Sequence, residues 1–164
     1  MADTTSENIK TEKSQSFLSL IFTSNQDSNL TFQIAWTLLR VIAGAVMIHN
    51  GFHKLDDVQG FATGVVSGVL GFPFPTFLTY CAAYTQIVGS ILLILGLLTR
   101  PAGIGLFFVM LVAIYFHVLE DGLFAISAYQ GASLFATMFL FLIINGGGSF
   151  SLDSLIAKKV ENSD

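Results

Sequence analysis

The chain has few charged residues and only one cysteine, and each scarcity excludes a class of protein. Charged residues occupy 11% of the 164 positions, whereas a soluble globular domain carries about 25%. This excludes a soluble enzyme, a nucleic-acid-binding protein and a disordered regulator. Because Cys81 is the single cysteine, the chain can form neither an intrachain disulfide nor a CxxC redox centre. The three histidines and Cys81 match no zinc motif in their spacing.

Apolar residues are abundant instead. They make up 53% of the chain, and 16 of them are phenylalanine. The mean hydropathy is +0.72. Three long segments, residues 58–99, 101–119 and 122–152, contain no Asp, Glu, Lys or Arg. This distribution indicates an integral membrane protein.

Four apolar segments are long enough to cross a bilayer. A helix needs roughly 20 residues to span about 30 Å of hydrocarbon. Residues 76–98, 102–119 and 123–145 meet this length without any charge, and residues 30–51 meet it with one internal charge, Arg40. Lipid offers no partner to unpaired backbone groups, so these segments are expected to be helices. The predicted fold is all-α: an antiparallel bundle of four transmembrane helices.

The connections between the spans differ in length. Short turns at 99–101 and 120–122 make the last three spans antiparallel neighbours. The first connection, residues 52–75, is apolar and rich in glycine but interrupted by Pro73 and Pro75. We expect it to form an interfacial or re-entrant element. It is either a lid over a cavity or a plain amphipathic connector.

The chain divides into a membrane domain and two polar ends. Residues 1–29 are predicted to be a polar tail with one short amphipathic segment, FLSLIF at 17–22, and residues 156–164 a polar C-terminal tail. Residues 30–155 form the predicted four-helix domain.

Basic residues concentrate on one side of the predicted bundle. The side that holds both termini has five basic residues: Lys10, Lys13, Arg100, Lys158 and Lys159. The opposite side has only Lys54. By the positive-inside rule, both termini should face the cytoplasm. The host membrane would be a bacterial inner membrane or a photosynthetic membrane.

A few polar side chains lie within the spans, where such residues often serve function. Arg40 is about ten residues into the first span and is predicted to lie near the middle of the bilayer. Gln86 and Tyr84 lie in the second span, and Gln130 lies in the fourth. Because the spans contain no carboxylate, Arg40 would bind backbone carbonyls, Gln86 or Tyr84, a ligand such as a quinone, or another subunit. For Arg40, a structural role carries the same weight as a role that faces a ligand or another subunit.

Three histidines lie toward the opposite side of the bundle from both termini. His49 and His53 are four residues apart and share a helix face, and His117 reaches the same layer from the third span. With nearby carboxylates these imidazoles could bind a metal, ligate a tetrapyrrole or relay protons. Histidines at a membrane interface often have no such role.

Small residues in the spans are expected to let helix backbones approach each other. The predicted packing positions include Gly44, Gly89, Gly96 and Gly131. They indicate one compact bundle rather than four separate anchors.

Several short motifs occur in a characteristic order along the chain. They are Leu38-Leu39-Arg40, His49-Asn50-Gly51, Lys54-Leu55, Gly96-Leu97-Leu98-Thr99-Arg100, Gly146-Gly147-Gly148 and Ser151-Leu152-Asp153. No single motif is specific, but the ordered set resembles the DoxX family over residues 30–155. The resemblance implies a small four-helix membrane protein associated with redox complexes, in some cases with quinone-linked sulfur oxidation. Gln86 and Gln130 stand where such proteins usually carry glutamate, which argues against proton coupling at these positions.

Three hypotheses follow. The first is an accessory subunit or scaffold of a larger membrane complex of redox or quinone-linked type, without catalytic activity of its own. A pigment-binding small subunit is a variant of this hypothesis. The second is a binder or carrier of a lipophilic molecule such as a quinone, with Arg40 and Gln86 in its cavity. The third, an enzyme that uses the histidines and carboxylates, is the least favoured. The expected partners are the lipid bilayer and other membrane subunits, without nucleic acid.

Overall fold

A computed structural model describes residues 29–161, with side chains described as far as Lys159. Within this range the elements are α1 (Leu30–Asp56), α2 (Val58–Phe61), a π-helix (Ala62–Val69), α3 (Pro75–Leu95), α4 (Thr99–Asp121), α5 (Ile126–Asn145) and α6 (Leu152–Glu161). Four of them, α1, α3, α4 and α5, are long and apolar enough to cross a membrane. The predicted all-α architecture with four spans is confirmed, and the protein is a multi-pass integral membrane protein. The predicted amphipathic segment at 17–22 lies outside the described residues.

The end of α3 is set by Gly96 rather than by the length of the apolar run. Gly96 has a left-handed φ of +66°, which glycine adopts without a Cβ clash. Its N–H donates to the Leu93 carbonyl, and the Leu97 N–H donates to the Leu92 carbonyl at 2.9 Å. This pair of bonds is the Schellman arrangement that closes helix C-termini. The helix therefore ends three residues before the predicted boundary at residue 98.

The boundaries of α1 and α4 also differ from those predicted. α1 continues to Asp56, five residues beyond the predicted end. The additional turn follows the apolar run and is polar, with His53 and Lys54 in it. α4 begins at Thr99, so the predicted turn at 99–101 forms its first turn. Pro101 fits there because the first N–H groups of a helix have no intrahelical acceptor.

The long helices pack in the order α1, α3, α4, α5. The predicted contact between neighbours among the last three spans is confirmed. Their shared core contains Met47, Leu93, Leu106, Phe139 and Leu142. Within the described residues, α1 and α5 make no comparably extensive contact. The bundle is therefore open between its first and last spans beside Leu39 and Gly131, and the two spans touch where the Trp36 and Phe141 rings lie 4.9 Å apart.

The predicted packing glycines have different surroundings. At Gly44 a Cβ would lie 2.5 Å from Ile94 Cγ1, so α1 and α3 approach closely there, whereas a Cβ at Gly89 would make an ordinary contact with Leu106. A Cβ at Gly131 would have no atom within 4 Å. Gly131 thus lies on the open side of α5 and does not pack against another described helix.

The connection between α1 and α3 is mostly helical. The side chain of Asp57 accepts a hydrogen bond from the Gly60 N–H at 2.8 Å at the start of α2. In the π-helix, Ala62 and Val66 are buried, and this segment packs against α3 and α4. Its depth in the bilayer, interfacial or re-entrant, stays a prediction.

Candidate functional site

Arg40 is buried at one end of the bundle, where it binds the connection between α5 and α6. Its side chain is 2% exposed. Nη1 donates to the Gly147 carbonyl, and Nη2 donates to the Phe150 carbonyl at 2.7 Å. Carbonyl oxygens at a sharp chain reversal lack helical partners, and a guanidinium can satisfy two of them together. Arg40 therefore fastens residues 146–151 to α1.

Asp153, near the start of α6, caps α4 from outside that helix. Its two carboxylate oxygens accept hydrogen bonds from Leu98 N at 2.7 Å and Thr99 N at 2.9 Å. No residue adjoining the start of α4 supplies a side-chain cap. A carboxylate at a helix N-terminus satisfies its free N–H groups and complements its dipole. Asp153 is 2% exposed and interacts electrostatically with Arg40.

Further polar side chains complete this group. Gln33 Oε1 accepts from the Ser149 N–H at 2.7 Å. Ser151 Oγ accepts from the Ser154 N–H at the start of α6 and donates to the Gly148 carbonyl at 2.7 Å. We call Gln33, Arg40, Ser151, Asp153 and Ser154, with the backbone they bind, the Arg40 cluster. All five side chains are buried.

Two glycines make room for the Arg40 cluster. A Cβ at Gly96 would lie 2.6 Å from Arg40 Nη1 and 2.5 Å from Ser151 Cβ. A Cβ at Gly147 would lie 2.7 Å from Thr99 Oγ1. Gly96, expected to pack helices, instead serves as a turn residue beside the guanidinium. The motifs around Arg40, Gly96, Gly147 and Asp153, separate in the chain, thus meet at one place.

Arg40 lies beside the ends of two other helices. It is next to Gly96, at the end of α3, and α4 begins three residues later at Thr99. Its predicted depth near the middle of the bilayer stays a prediction. Of its expected partners, backbone carbonyls are the ones it binds. Asp153, the nearby carboxylate, was not among the predicted partners of Arg40 because it lies outside the four predicted spans. The signal available was the Ser151-Leu152-Asp153 motif, in which serine begins a helix.

The other predicted polar residues do not join Arg40. Gln86 is buried on α3, where its Nε2 donates weakly to Met47 Sδ at 3.7 Å. Tyr84 is exposed and stacks on Tyr80, and Gln130 is exposed on α5. The structure therefore does not bring Arg40, Gln86, Tyr84 and Gln130 together as one cavity lining.

The histidines also separate. His117 Nδ1 lies 3.1 Å from Asp121 Oδ2, and Glu120 adds a third ligand atom, all within 4.8 Å of one another. His49 and His53 are exposed on α1. Among the described residues, the one group of three or more potential metal ligands is His117, Glu120 and Asp121. A site containing all three histidines is not formed.

An apolar groove runs along the open side of the bundle. Its volume is about 610 Å³, and it is lined by Leu39 of α1 and, on α5, by Gly131, Leu134, Phe135, Thr137, Met138 and Phe141. A smaller cavity of about 280 Å³ shares Leu39 and Phe141 with it and also borders Trp36. The indole Nε1 of Trp36 is buried and has no hydrogen-bond acceptor among the described residues.

Comparison with known proteins defines the class of this helical membrane bundle. The family model DoxX matches residues 35–118, about half of the chain. The chain belongs to the DoxX family, as its motifs indicated. The match includes Arg40 and Gly96 but ends before α5, so the Gly147 and Asp153 side of the Arg40 cluster lies beyond it.

Three curated relatives cover most of the chain. An uncharacterized protein of Haemophilus influenzae is 37% identical over 125 residues, covering 74% of this chain and 90% of that protein. The Bacillus subtilis protein named "Putative oxidoreductase CatD" is 29% identical, covering 83% and 97%. The Escherichia coli inner membrane protein YphA is 30% identical, covering 71% and 86%. No solved structure matches significantly.

Proposed function

We propose that the protein is an accessory subunit of a larger membrane redox complex, and that the groove between α1 and α5 receives a transmembrane helix of another subunit. The observation that carries this proposal is the open, apolar side of the bundle. The redox assignment is supported by the oxidoreductase name of the Bacillus subtilis relative.

The lining of the groove has the spacing of a helix-packing surface. Gly131, Leu134, Met138 and Phe141 follow one another at intervals of three or four residues, so they lie along one face of α5. Helices in membranes associate by close van der Waals packing, which small residues permit. The open space beside Gly131 would let a partner backbone approach α5.

The use made of Arg40 also supports a non-catalytic role. Its two terminal nitrogens bind the carbonyls of Gly147 and Phe150. Because both terminal nitrogens already donate to backbone carbonyls, the guanidinium joins two chain segments. Activity, if the complex has one, would then reside in another subunit.

Native mass spectrometry of the protein extracted from its own membrane tests this proposal. We expect a particle well above 17.7 kDa that contains other chains. Leu134→Trp should fill the groove and release the partner, whereas Leu140→Trp, on an exposed face of the same helix outside the groove lining, should retain it. A parent protein recovered without other chains would contradict the proposal, as would equal behaviour of the two variants.

A second candidate function is binding of a lipophilic molecule such as a quinone in the smaller cavity and the adjoining groove. The specific observation is the Trp36 indole N–H, buried beside the smaller cavity and without an acceptor among the described residues. It could donate to a quinone carbonyl after a modest side-chain movement, while the apolar groove holds the tail. Trp36→Phe keeps an aromatic ring and removes the donor. Solvent extraction and chromatography of the purified protein should then recover less quinone from Trp36→Phe than from the parent.

A further inference from the structure

The last helix, α6, follows closely after the last membrane-spanning helix. It begins seven residues after the end of α5, a membrane-spanning helix. Asp153 caps α4, and Ser154 Oγ donates to the Ser149 and Ser151 carbonyls. These bonds hold the first turn of α6 against the end of the bundle.

The outer face of α6 is apolar. Leu152, Leu155 and Ile156 are exposed, and their spacing of three and four residues places them on one helix face. Asp153 and Ser154 are buried against the bundle, so the apolar face points away from it. Phe150, exposed just before α6, extends this surface. A helix beside a bilayer with an outward apolar face has the character of an interfacial helix.

Two lysines follow the apolar residues. Lys158 and Lys159 are exposed in the last turn of α6. Lys159 is four residues after Leu155 and three after Ile156, so it lies on the apolar face itself. A lysine at such a position can lay its hydrocarbon stem along the acyl boundary and raise its ammonium to the lipid phosphates. Anionic headgroups complement the two positive charges.

We propose that α6 lies in the membrane interface and binds anionic lipid headgroups through Lys158 and Lys159. The occupant of its apolar outer face is the lipid itself, because α6 follows a membrane-spanning helix after a short chain reversal and its last turn carries two lysines. The lipid-binding surface of α6 is therefore Phe150, Leu152, Leu155, Ile156, Lys158 and Lys159. This inference does not depend on the proposed partner in the groove.

The test uses the full chain reconstituted without other proteins. Cys81→Ser removes the single cysteine, and Leu155→Cys then accepts an environment-sensitive fluorophore. Vesicles contain phosphatidylcholine alone or a mixture with phosphatidylglycerol, and each lipid carries a shallow spin label in turn. We expect a blue-shifted emission that both spin-labelled lipids quench, with stronger quenching by phosphatidylglycerol. An unquenched, water-like emission would overturn the proposal and indicate that protein or solvent covers this face.

Charge variants separate lipid-headgroup binding from simple apolar contact. Lys158→Gln and Lys159→Gln should each lower the preference for phosphatidylglycerol by up to about fivefold. The matched double variant Lys158→Arg with Lys159→Arg retains both charges and should keep that preference. Equal quenching by the two lipids in the parent, or an unchanged preference in the glutamine variants, would overturn the headgroup site. Circular dichroism of every variant checks that the bundle remains folded.

Discussion

Arg40 and Gly147 are 107 residues apart in the chain, and a hydrogen bond joins the guanidinium of one to the carbonyl of the other. This bond connects the first span to the chain reversal after the last span. Gly147 can lie there because it has no Cβ to meet Thr99 and Ser151. Through this contact, the motifs at the two ends of the domain belong to one structural element.

Removing the Arg40 guanidinium should destabilise the bundle. Arg40→Met deletes the bonds to Gly147 and Phe150 and leaves two carbonyls without these donors. Because hydrogen bonds to charged groups contribute about 1.5–3 kcal/mol each, the loss of two such bonds should lower the free energy of unfolding by about 3–6 kcal/mol. Denaturation in mixed detergent micelles, followed by circular dichroism, measures it.

Arg40→Lys and Arg100→Met are the controls for that measurement. Lysine keeps the charge but cannot reproduce the planar fork of guanidinium donors, so its stability should be intermediate. Arg100 donates to the Ile144 carbonyl at 3.1 Å in a more exposed setting, and its loss should cost less than that of Arg40. Equal stability of Arg40→Met and the parent would show that the Arg40 cluster does not stabilise the fold.

Asp153→Ala should loosen the first turn of α4. The substitution leaves the N–H groups of Leu98 and Thr99 without their carboxylate acceptors. Loss of a helix cap typically costs about 1 kcal/mol. Hydrogen exchange should therefore accelerate at Leu98 and Thr99 and change little near the middle of α4. Glu120→Ala, at the other end of α4, provides the control, and unchanged exchange at Leu98 in Asp153→Ala would refute the cap.

Gly96→Ala should be more harmful than Gly71→Ala. Both glycines have a φ of +66°, so both variants incur the left-handed penalty of about 1–2 kcal/mol. A Cβ at Gly71 has no atom within 4 Å, whereas a Cβ at Gly96 would displace the Arg40 guanidinium and meet Ser151. The difference in unfolding free energy between the variants isolates this steric effect. Equal losses would mean that the Arg40 cluster accommodates the methyl group.

Any binding of added Zn²⁺ should depend on His117 rather than on His49. His117 has Asp121 and Glu120 within reach as further ligands, whereas His49 is exposed on α1. We expect His117→Ala to abolish Zn²⁺ binding in calorimetric titration and His49→Ala to preserve it. A parent protein that binds no Zn²⁺ would remove the metal hypothesis. A visible absorption band lost in His49→Ala or His53→Ala would instead support the tetrapyrrole alternative.

The position of the C-terminal residues could not be predicted from the sequence. The sequence predicted a polar tail from residue 156, and the structure adds that helix α6, Leu152–Glu161, includes the first part of that tail. Asp153 holds α6 in place. The short, weakly apolar segment has no strong helix signal of its own. Its position follows from bonds to Leu98 and Thr99, more than 50 residues earlier.

The sequence by itself determined the membrane class, the four spans and the antiparallel order of the last three. These properties follow locally, since a long uncharged segment in lipid must pair its own backbone groups as a helix. Only the tertiary structure decided the partners of Arg40, the separation of the histidines and the opening between α1 and α5. Such relationships depend on which helix faces meet and on where chain reversals bring distant carbonyl groups. The hydropathy of a single segment carries no information about either.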